Sequence, residues 1–343
     1  MPASATIDSL PIDYGQSTIY RIFNSHKIMK RIFTLAAILL AVSCASQRKA
    51  QNTLPMNQTT LTLNNGVVMP QFGLGVYSIP EGDVTYNSVL AALKAGYRHI
   101  DTAHAYGNER SVGRAIKDSG IPRDSIWVTS KLWPNEYGED ITPKQLDKML
   151  ERLGLEYLDL VYLHQPLRDY NGGWKALEAA LEAGKVRAIG ISDFDFDDEL
   201  FNSIVEPARI KPQMFQIECH PYAQREHWQE MAKKYNIQIE CWFPLGGRDS
   251  KGEILRDPVI NEIAAAHGKS AAQVIIRWHI QKGFSVVPGS SNPKHIQENI
   301  EVFDFELSDA EMAKMASLNK EKRYFNMTYQ QIKEWMENYE IWD

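Results

Sequence analysis

Four polar residues fall where apolar runs of strand length give way to turn-like sequence: Asp101 and Tyr106 in RHIDTAHAYGNE, Lys131 in IWVTSKLW and His164 in LVYLHQP. Together they supply the parts needed to hand a proton to a carbonyl oxygen. A free phenol has a pKa of about 10 and parts with its proton reluctantly. A neighbouring ammonium favours the phenolate, and a carboxylate holds that ammonium in place. Tyr106 is therefore the candidate acid, Lys131 and Asp101 the pair expected to lower its pKa, and His164 a donor that orients the carbonyl. Alone, Asp101 or Lys131 is an ordinary strand-end charge; the combination points to an enzyme that reduces a carbonyl, given a hydride donor on the other face.

Such residues converge only if their strands end at one mouth, as parallel strands do in a barrel. Apolar runs near 72–75, 98–101, 127–131, 158–163, 187–192, 213–218, 237–243 and 285–288 are the candidate strands. Helix-like segments separate them, at 85–95, 108–118, 143–153, 173–183, 197–205 and 224–235, with Gly96 and Gly184 where left-handed caps belong. This alternation predicts βαβ units and a parallel sheet. Eight repeats over roughly 280 residues fit a closed (β/α)8 TIM barrel better than an open doubly wound sheet, and no GxGxxG follows the first strand. A β-hairpin turning at Asn64–Asn65–Gly66 precedes the barrel. Two helical patterns, 257–267 and 270–282, lie before the last strand, so one is an inserted helix. The tail from 308 opens on a capping sequence, Ser308 to Glu311, and is rich in Tyr, Trp and Met. It either folds over the pocket or covers the outer wall.

The chain has 343 residues, 44% hydrophobic and 23% charged, with a net charge of −6. That suits a globular core and argues against a nucleic-acid partner, which usually needs a basic face. The three cysteines, Cys44, Cys219 and Cys241, make no disulfide framework, and the last two read as small core residues. His99 and His104 flank Asp101 without metal-ligand spacing, so no metal is expected; His99 is assigned to the helix-facing side and His104 to the loop. Glu218 with Asp101 would make a glycosidase pair, but such a pair has no use for Lys131. Asp195, Asp197 and Asp198 read as first-turn residues complementing a helix dipole.

Residues 1–57 are foreign to this pattern and are assigned as a leader, with the barrel domain running over 58–343. Within the leader, 29–44 has a Lys30–Arg31 pair, an apolar run from Ile32 to Val42, then Ser43 and Cys44. That is the plan of a secretory signal with a lipoprotein-type cysteine, although Ala41 stands where Leu is usual. If it is used, the protein belongs to the cell envelope or periplasm, with membrane contact only through a lipid on Cys44. If translation starts at Met56, it is cytoplasmic.

From about 58 to 320 the chain resembles the aldo-keto reductase superfamily, especially the bacterial branch acting on small aldehydes and keto sugars. GYRHIDTAHAYGNE, VTSKLW, LVYLHQP, VRAIGISDF, FQIECHP and VPGSSNPKHIQEN match its blocks in order. The resemblance implies an NADP(H) or NAD(H) cofactor and a small-molecule carbonyl substrate, with the protein acting as a monomer. It implies that Ser192, Asp193 and Gln216 hold the nicotinamide carboxamide and that Trp242 stacks on the ring. Leu245, Ser290, His295, Glu298 and Asn299 fall at pyrophosphate and adenosine contacts, and Tyr77 and His164 at the substrate pocket.

Three departures from the family pattern bear on the cofactor. Asp193 replaces the usual Asn, which implies weaker cofactor binding or a changed protonation state. Phe243 replaces a small Ser and crowds the pyrophosphate. Gly289 and His295 stand where NADPH-specific members carry Lys and Arg, which implies use of both cofactors rather than strict NADPH preference. The alternative function is a cofactor-binding sensor or subunit on the same fold with little turnover.

Overall fold

The computed structural model describes residues 58–337, 339 and 341. The assignments made for the 1–57 leader, its 29–44 signal, Cys44 and Met56 lie outside the described residues. Strands β1 (Thr60–Thr62) and β2 (Val68–Pro70) form an antiparallel hairpin around the Asn64–Gly66 turn. Eight parallel strands follow in chain order: β3 (Leu74–Gly75), β4 (His99–Asp101), β5 (Trp127–Leu132), β6 (Leu158–Leu163), β7 (Val186–Ser192), β8 (Met214–Glu218), β9 (Gln238–Trp242) and β10 (Ser285–Val286). Each pairs with the next. Parallel bridges from Phe72 to Val286 and from Gly75 to Gly289 join first to last and close the barrel.

Close approach at two glycines sets this geometry. A Cβ on Gly75 would lie 2.7 Å from the Val287 carbonyl oxygen, so only glycine lets the first strand meet the last. A Cβ on Gly190 would lie 2.5 Å from the Tyr162 ring and 2.8 Å from the Met214 carbonyl. Gly190→Ala is therefore expected to cost about 1–3 kcal/mol of stability through overpacking. Urea unfolding reads this, and an unchanged midpoint would show that Tyr162 has room to retreat.

Helices Asp83–Ala95, Glu109–Asp118, Thr142–Leu153, Tyr170–Glu182, Asp198–Val205 and Glu226–Lys234 connect successive strands. Pro258–His267 and Ala271–Gln281 both lie between β9 and β10, confirming the inserted helix. Outward-facing strand residues such as Ile100, Val128, Val161, Ile189, Phe215 and Cys241 pack on these helices as the main core. Inward-facing Trp127, Leu160, Tyr162, Ala188 and Met214 form a second core, plugged from below by Leu63 and Met69 of the hairpin. The hairpin turn is tied down by Asn64 Nδ2 to the Pro212 carbonyl at 2.8 Å and Asn65 Nδ2 to the Arg187 carbonyl at 3.0 Å. With the lower mouth filled, only the upper mouth is left for chemistry.

The tail runs across that upper mouth. Glu218 accepts from the backbone N–H groups of Tyr324, at 2.6 Å, and of Phe325. Helix Tyr329–Glu337 packs Ile332 and Met336 on Trp133 and Leu167. Among the described residues, no helix is long and apolar enough to cross a membrane.

Candidate active site

Register brings the polar strand ends together: Asp101 lies beside Thr129, Lys131 beside Tyr162, Ser192 beside Gln216 and Glu218 beside Trp242. Strand alternation then directs Asp101, Lys131, Tyr162, Gln216 and Glu240 into the barrel. There the Lys131 ammonium, fully buried, donates to both Asp101 carboxylate oxygens, at 2.6 and 2.7 Å, and to the Thr102 carbonyl at 3.0 Å. Gln216 Nε2 donates to Asp101 Oδ2 at 3.0 Å and to Glu240 Oε1 at 2.6 Å. Tyr162 and Ser285 donate to the two Glu240 oxygens. Burial raises the pKa of both carboxyls; the Lys131 charge opposes this for both, and the Ser285 and Gln216 hydrogen bonds also oppose it at Glu240.

Tyr106 ends a short 3-10 turn, His104–Tyr106, just past β4. That turn is anchored through His104 Nδ1, 2.8 Å from Glu136 Oε1, while Glu136 Oε2 accepts the Trp133 N–H at 2.7 Å. The Tyr106 ring centroid lies 5.0 Å from Lys131 Nζ, 5.7 Å from the His164 ring and 5.1 Å from the Tyr77 ring. The four candidate residues do converge, and Tyr77, largely exposed, stands at the rim.

The direction of the phenol shift is opposite to the sequence expectation. Burial first, then the Asp101 and Asp193 carboxylates, push the Tyr106 pKa well above its ordinary value. The geometry gives the reason. Lys131 Nζ is bonded to both Asp101 oxygens and to the Thr102 carbonyl, so the Asp101 charge offsets much of the ammonium's pull on the neighbouring phenol and burial outweighs the rest. Tyr106 is thus held as a neutral phenol, the form that can give a proton. His164 is also neutral, because burial and then the Lys131 charge hold its pKa well below the ordinary value. Its Nδ1 is buried without a hydrogen-bond partner.

On the other side of the mouth, Ser192 is buried, and Asp193 follows it in a left-handed conformation (φ 61°). Asn and Asp tolerate that backbone better than other side chains with a Cβ, so either residue suits the position. The Asp193 carboxylate accepts from Trp242 Nε1 at 2.9 Å and from Gln165 Nε2 at 2.5 Å. Phe243 is also left-handed (φ 48°); its ring sits 6.0 Å from Tyr77 and 4.8 Å from Trp242. Of the departures from the family pattern, Phe243 is therefore the strained position at the mouth. Leu245 is half-buried in the loop after β9.

Helix Pro293–Ile300 follows β10, capped by Asn292, whose Oδ1 accepts the Lys294 N–H at 3.0 Å. Ser290 lies just before it; His295 is exposed, Asn299 is buried, and Glu298 is 3.6 Å from Lys294.

These residues fit a nicotinamide dinucleotide. Gln216 has committed its NH2 to Asp101 and Glu240, so what it can offer a carboxamide is its acceptor oxygen. Gln165 Oε1 is buried without a partner beside Asp193. Trp242 offers an aromatic face, and the helix N-terminus offers backbone N–H groups to phosphate.

Two sequence assignments are corrected. His99 faces the barrel interior, 3.1 Å from Thr129 Oγ1 and 3.8 Å from Glu240; Ile100 is the residue that faces the helices. Asp195 is not a first-turn residue. It is buried and paired with Arg225 and with Arg323 of the tail, while Asp197 alone caps the helix, accepting the Leu200 N–H at 2.8 Å. The sequence reading also missed Gln165, Glu240, Arg225 and Arg323. Glu240 carried a signal, two residues before Trp242 on the same strand face; Arg323 carried none. Cys219 and Cys241 are buried as expected, but their sulfurs lie within 4.8 Å of each other and of a His279 ring nitrogen. Both His279 nitrogens face backbone carbonyls, of Ile275 at 2.8 Å and Cys219 at 3.0 Å.

The profile of the Aldo/keto reductase family matches residues 72–320. A 9,11-endoperoxide prostaglandin H2 reductase of Trypanosoma cruzi is 46% identical, over 78% of this chain and 94% of its own. A glyoxal reductase of Bacillus subtilis is 43% identical, over 77% of this chain and 94% of its own. Among solved structures, an aldo/keto reductase from Brucella melitensis superposes with a TM-score of 0.72 at 39% identity, covering 76% of this chain and 100% of its own. A variant of Gox0644 in complex with NADPH gives 0.73 at 37% identity, covering 80% and 98%.

Proposed function

The chain belongs to the aldo/keto reductase family and is an NAD(P)H-dependent oxidoreductase, and on that premise we propose that it reduces an aldehyde or ketone to an alcohol with the proton drawn from Tyr106. The observation that carries this reading is the buried Lys131–Asp101 pair set 5.0 Å from the ring of a neutral phenol, with a neutral imidazole beside it. Bound NAD(P)H supplies the hydride. As hydride reaches the carbonyl carbon, its oxygen becomes an alkoxide, a stronger base than a phenolate, so even a weakly acidic phenol releases its proton. Lys131 then stabilises the phenolate left behind, and His164, held neutral, can donate to the same oxygen without repelling Lys131. Asp101 keeps the ammonium in place.

Ser192, Asp193, Gln216 and Trp242 are the proposed nicotinamide contacts, with Leu245, Ser290, His295, Glu298 and Asn299 along the rest of the dinucleotide. Gly289 carries no side chain and His295 is exposed, so these two positions offer no guanidinium fork to an adenosine 2′-phosphate. Lys294, also exposed, offers a single point charge. Dissociation constants for NADPH and NADH are therefore expected to agree within about tenfold, since one exposed charge pair contributes up to about 1 kcal/mol. Quenching of intrinsic tryptophan fluorescence measures both, and a hundredfold preference for NADPH would refute dual use. Turnover is tested by cofactor oxidation over a panel of small aldehydes and keto sugars; no oxidation with any of them would favour the sensor reading.

A further inference from the structure

Asp193 puts an acid where a neutral amide would serve to hold a carboxamide. Asp193 is 6% exposed, and its carboxylate spans the mouth, with Oδ1 on the Trp242 indole of β9 and Oδ2 on Gln165 just after β6. Ser192 and Gln216, adjacent in register, flank it. We propose that Asp193 selects the oxidation state of the bound nicotinamide: as an anion it favours the cationic oxidised ring over the neutral reduced ring, so binding of the oxidised cofactor releases a proton. This rests on the cofactor site proposed above.

The charges around Asp193 leave it able to play this part. From its own strand end comes Asp195, an anion paired with Arg225 and Arg323. From the tail comes Arg323, shared with Glu218 of β8, which His220 also contacts at 3.2 Å. From β4 and β5 come Asp101 and Lys131, which cancel each other, and from β9 comes Glu240, buried among donors. Tyr106, Tyr137 and His164 are neutral neighbours, and the two phenols are raised in part by the Asp193 charge. Among the described residues the Asp193 carboxylate is bonded to two neutral N–H donors and to no cation. Burial, then the Asp195 charge, push its pKa up to about 7, against the pull of Arg323, Trp242 and Gln165. The acid therefore changes charge near neutral pH. A cationic ring adds a further counter-charge and draws the proton off; a neutral dihydronicotinamide does not.

The test is the pH dependence of binding. Dissociation constants for NADP+ and NADPH are measured from pH 6 to pH 8 on the wild type and on Asp193→Asn, which keeps the shape and tolerates the left-handed backbone. In the wild type the ratio Kd(NADPH)/Kd(NADP+) is expected to rise about fivefold over that range, the part of the tenfold change set by a one-unit pKa shift that falls within it; in Asp193→Asn it is expected to stay flat. Calorimetry of NADP+ binding to the wild type at neutral pH, in two buffers of different ionisation heat, should register proton release without any variant. A flat wild-type ratio with no proton release, or an equal rise in Asp193→Asn, overturns the proposal. Failure of the wild type to bind either cofactor overturns the cofactor site itself and this proposal with it.

Discussion

Tyr106→Phe is expected to lower kcat by about a hundredfold to ten-thousandfold, the range for removal of a positioned general acid. The substitution deletes one oxygen and leaves the ring that packs against His164 and Tyr77. Its hydroxyl is assigned to no cofactor contact, so the dissociation constant for NADPH should change by less than about twofold, well inside the scatter of a neutral surface change. The two readouts separate loss of chemistry from loss of fold. Steady-state oxidation of NADPH by an aldehyde, beside fluorescence titration of the cofactor, measures both. Retention of more than a few per cent of turnover would transfer the proton-donor role to another group, His164 first.

Lys131→Met should produce the largest loss of stability. The ammonium is fully enclosed and is the cation bonded to both Asp101 oxygens. Its removal strands a buried carboxylate, which typically costs about 3–5 kcal/mol. Adding Asp101→Asn removes the stranded charge and should recover a large part of that loss, whereas turnover should stay low because the proposed stabiliser of the Tyr106 phenolate is still gone. Urea denaturation of wild type, single and double variants gives the comparison. A single-variant loss below about 1 kcal/mol would mean that Asp101 takes up a proton or finds water at little cost, contrary to an enclosed pair.

The barrel was legible because its signals are local and repeated. Each strand is an apolar run ended by turn chemistry, and Gly96 at φ 109° and Gly184 at φ 74° end helices where their sequences placed them. The proposed active-site residues were legible for a related reason: Asp101, Lys131 and His164 each interrupt an apolar run at its end, which costs free energy unless a partner is present. His99 was misassigned because strand faces alternate with period two, so one residue decides between helix layer and interior. Asp195 was misread because its partners, Arg225 and Arg323, lie on a later helix's leading edge and in the tail, beyond any local pattern.

The Tyr106 shift could not be read from residue types at all. Its sign depends on burial and on the nearby Asp101 and Asp193 carboxylates, all of them products of the folded geometry. Type alone says that a lysine lowers a phenol's pKa; geometry spends that lysine on Asp101 and leaves burial to dominate. The same contrast holds for Asp193. The sequence marks it as a departure from an amide, and only the fold reveals that it holds the indole of Trp242.

Hydride transfer from nicotinamide to a carbonyl carbon is the central claim, and isotopic labelling tests it most directly. The wild type is incubated with NADPH deuterated at both C4 positions and 4-nitrobenzaldehyde, and the benzylic carbon of the product is read by mass spectrometry and NMR. One deuterium per alcohol formed, with matching loss of NADPH, is the expected result. Saturable NADPH binding with no labelled alcohol, from this aldehyde or from a small dicarbonyl such as glyoxal, would contradict the reductase and leave a cofactor-binding sensor in its place.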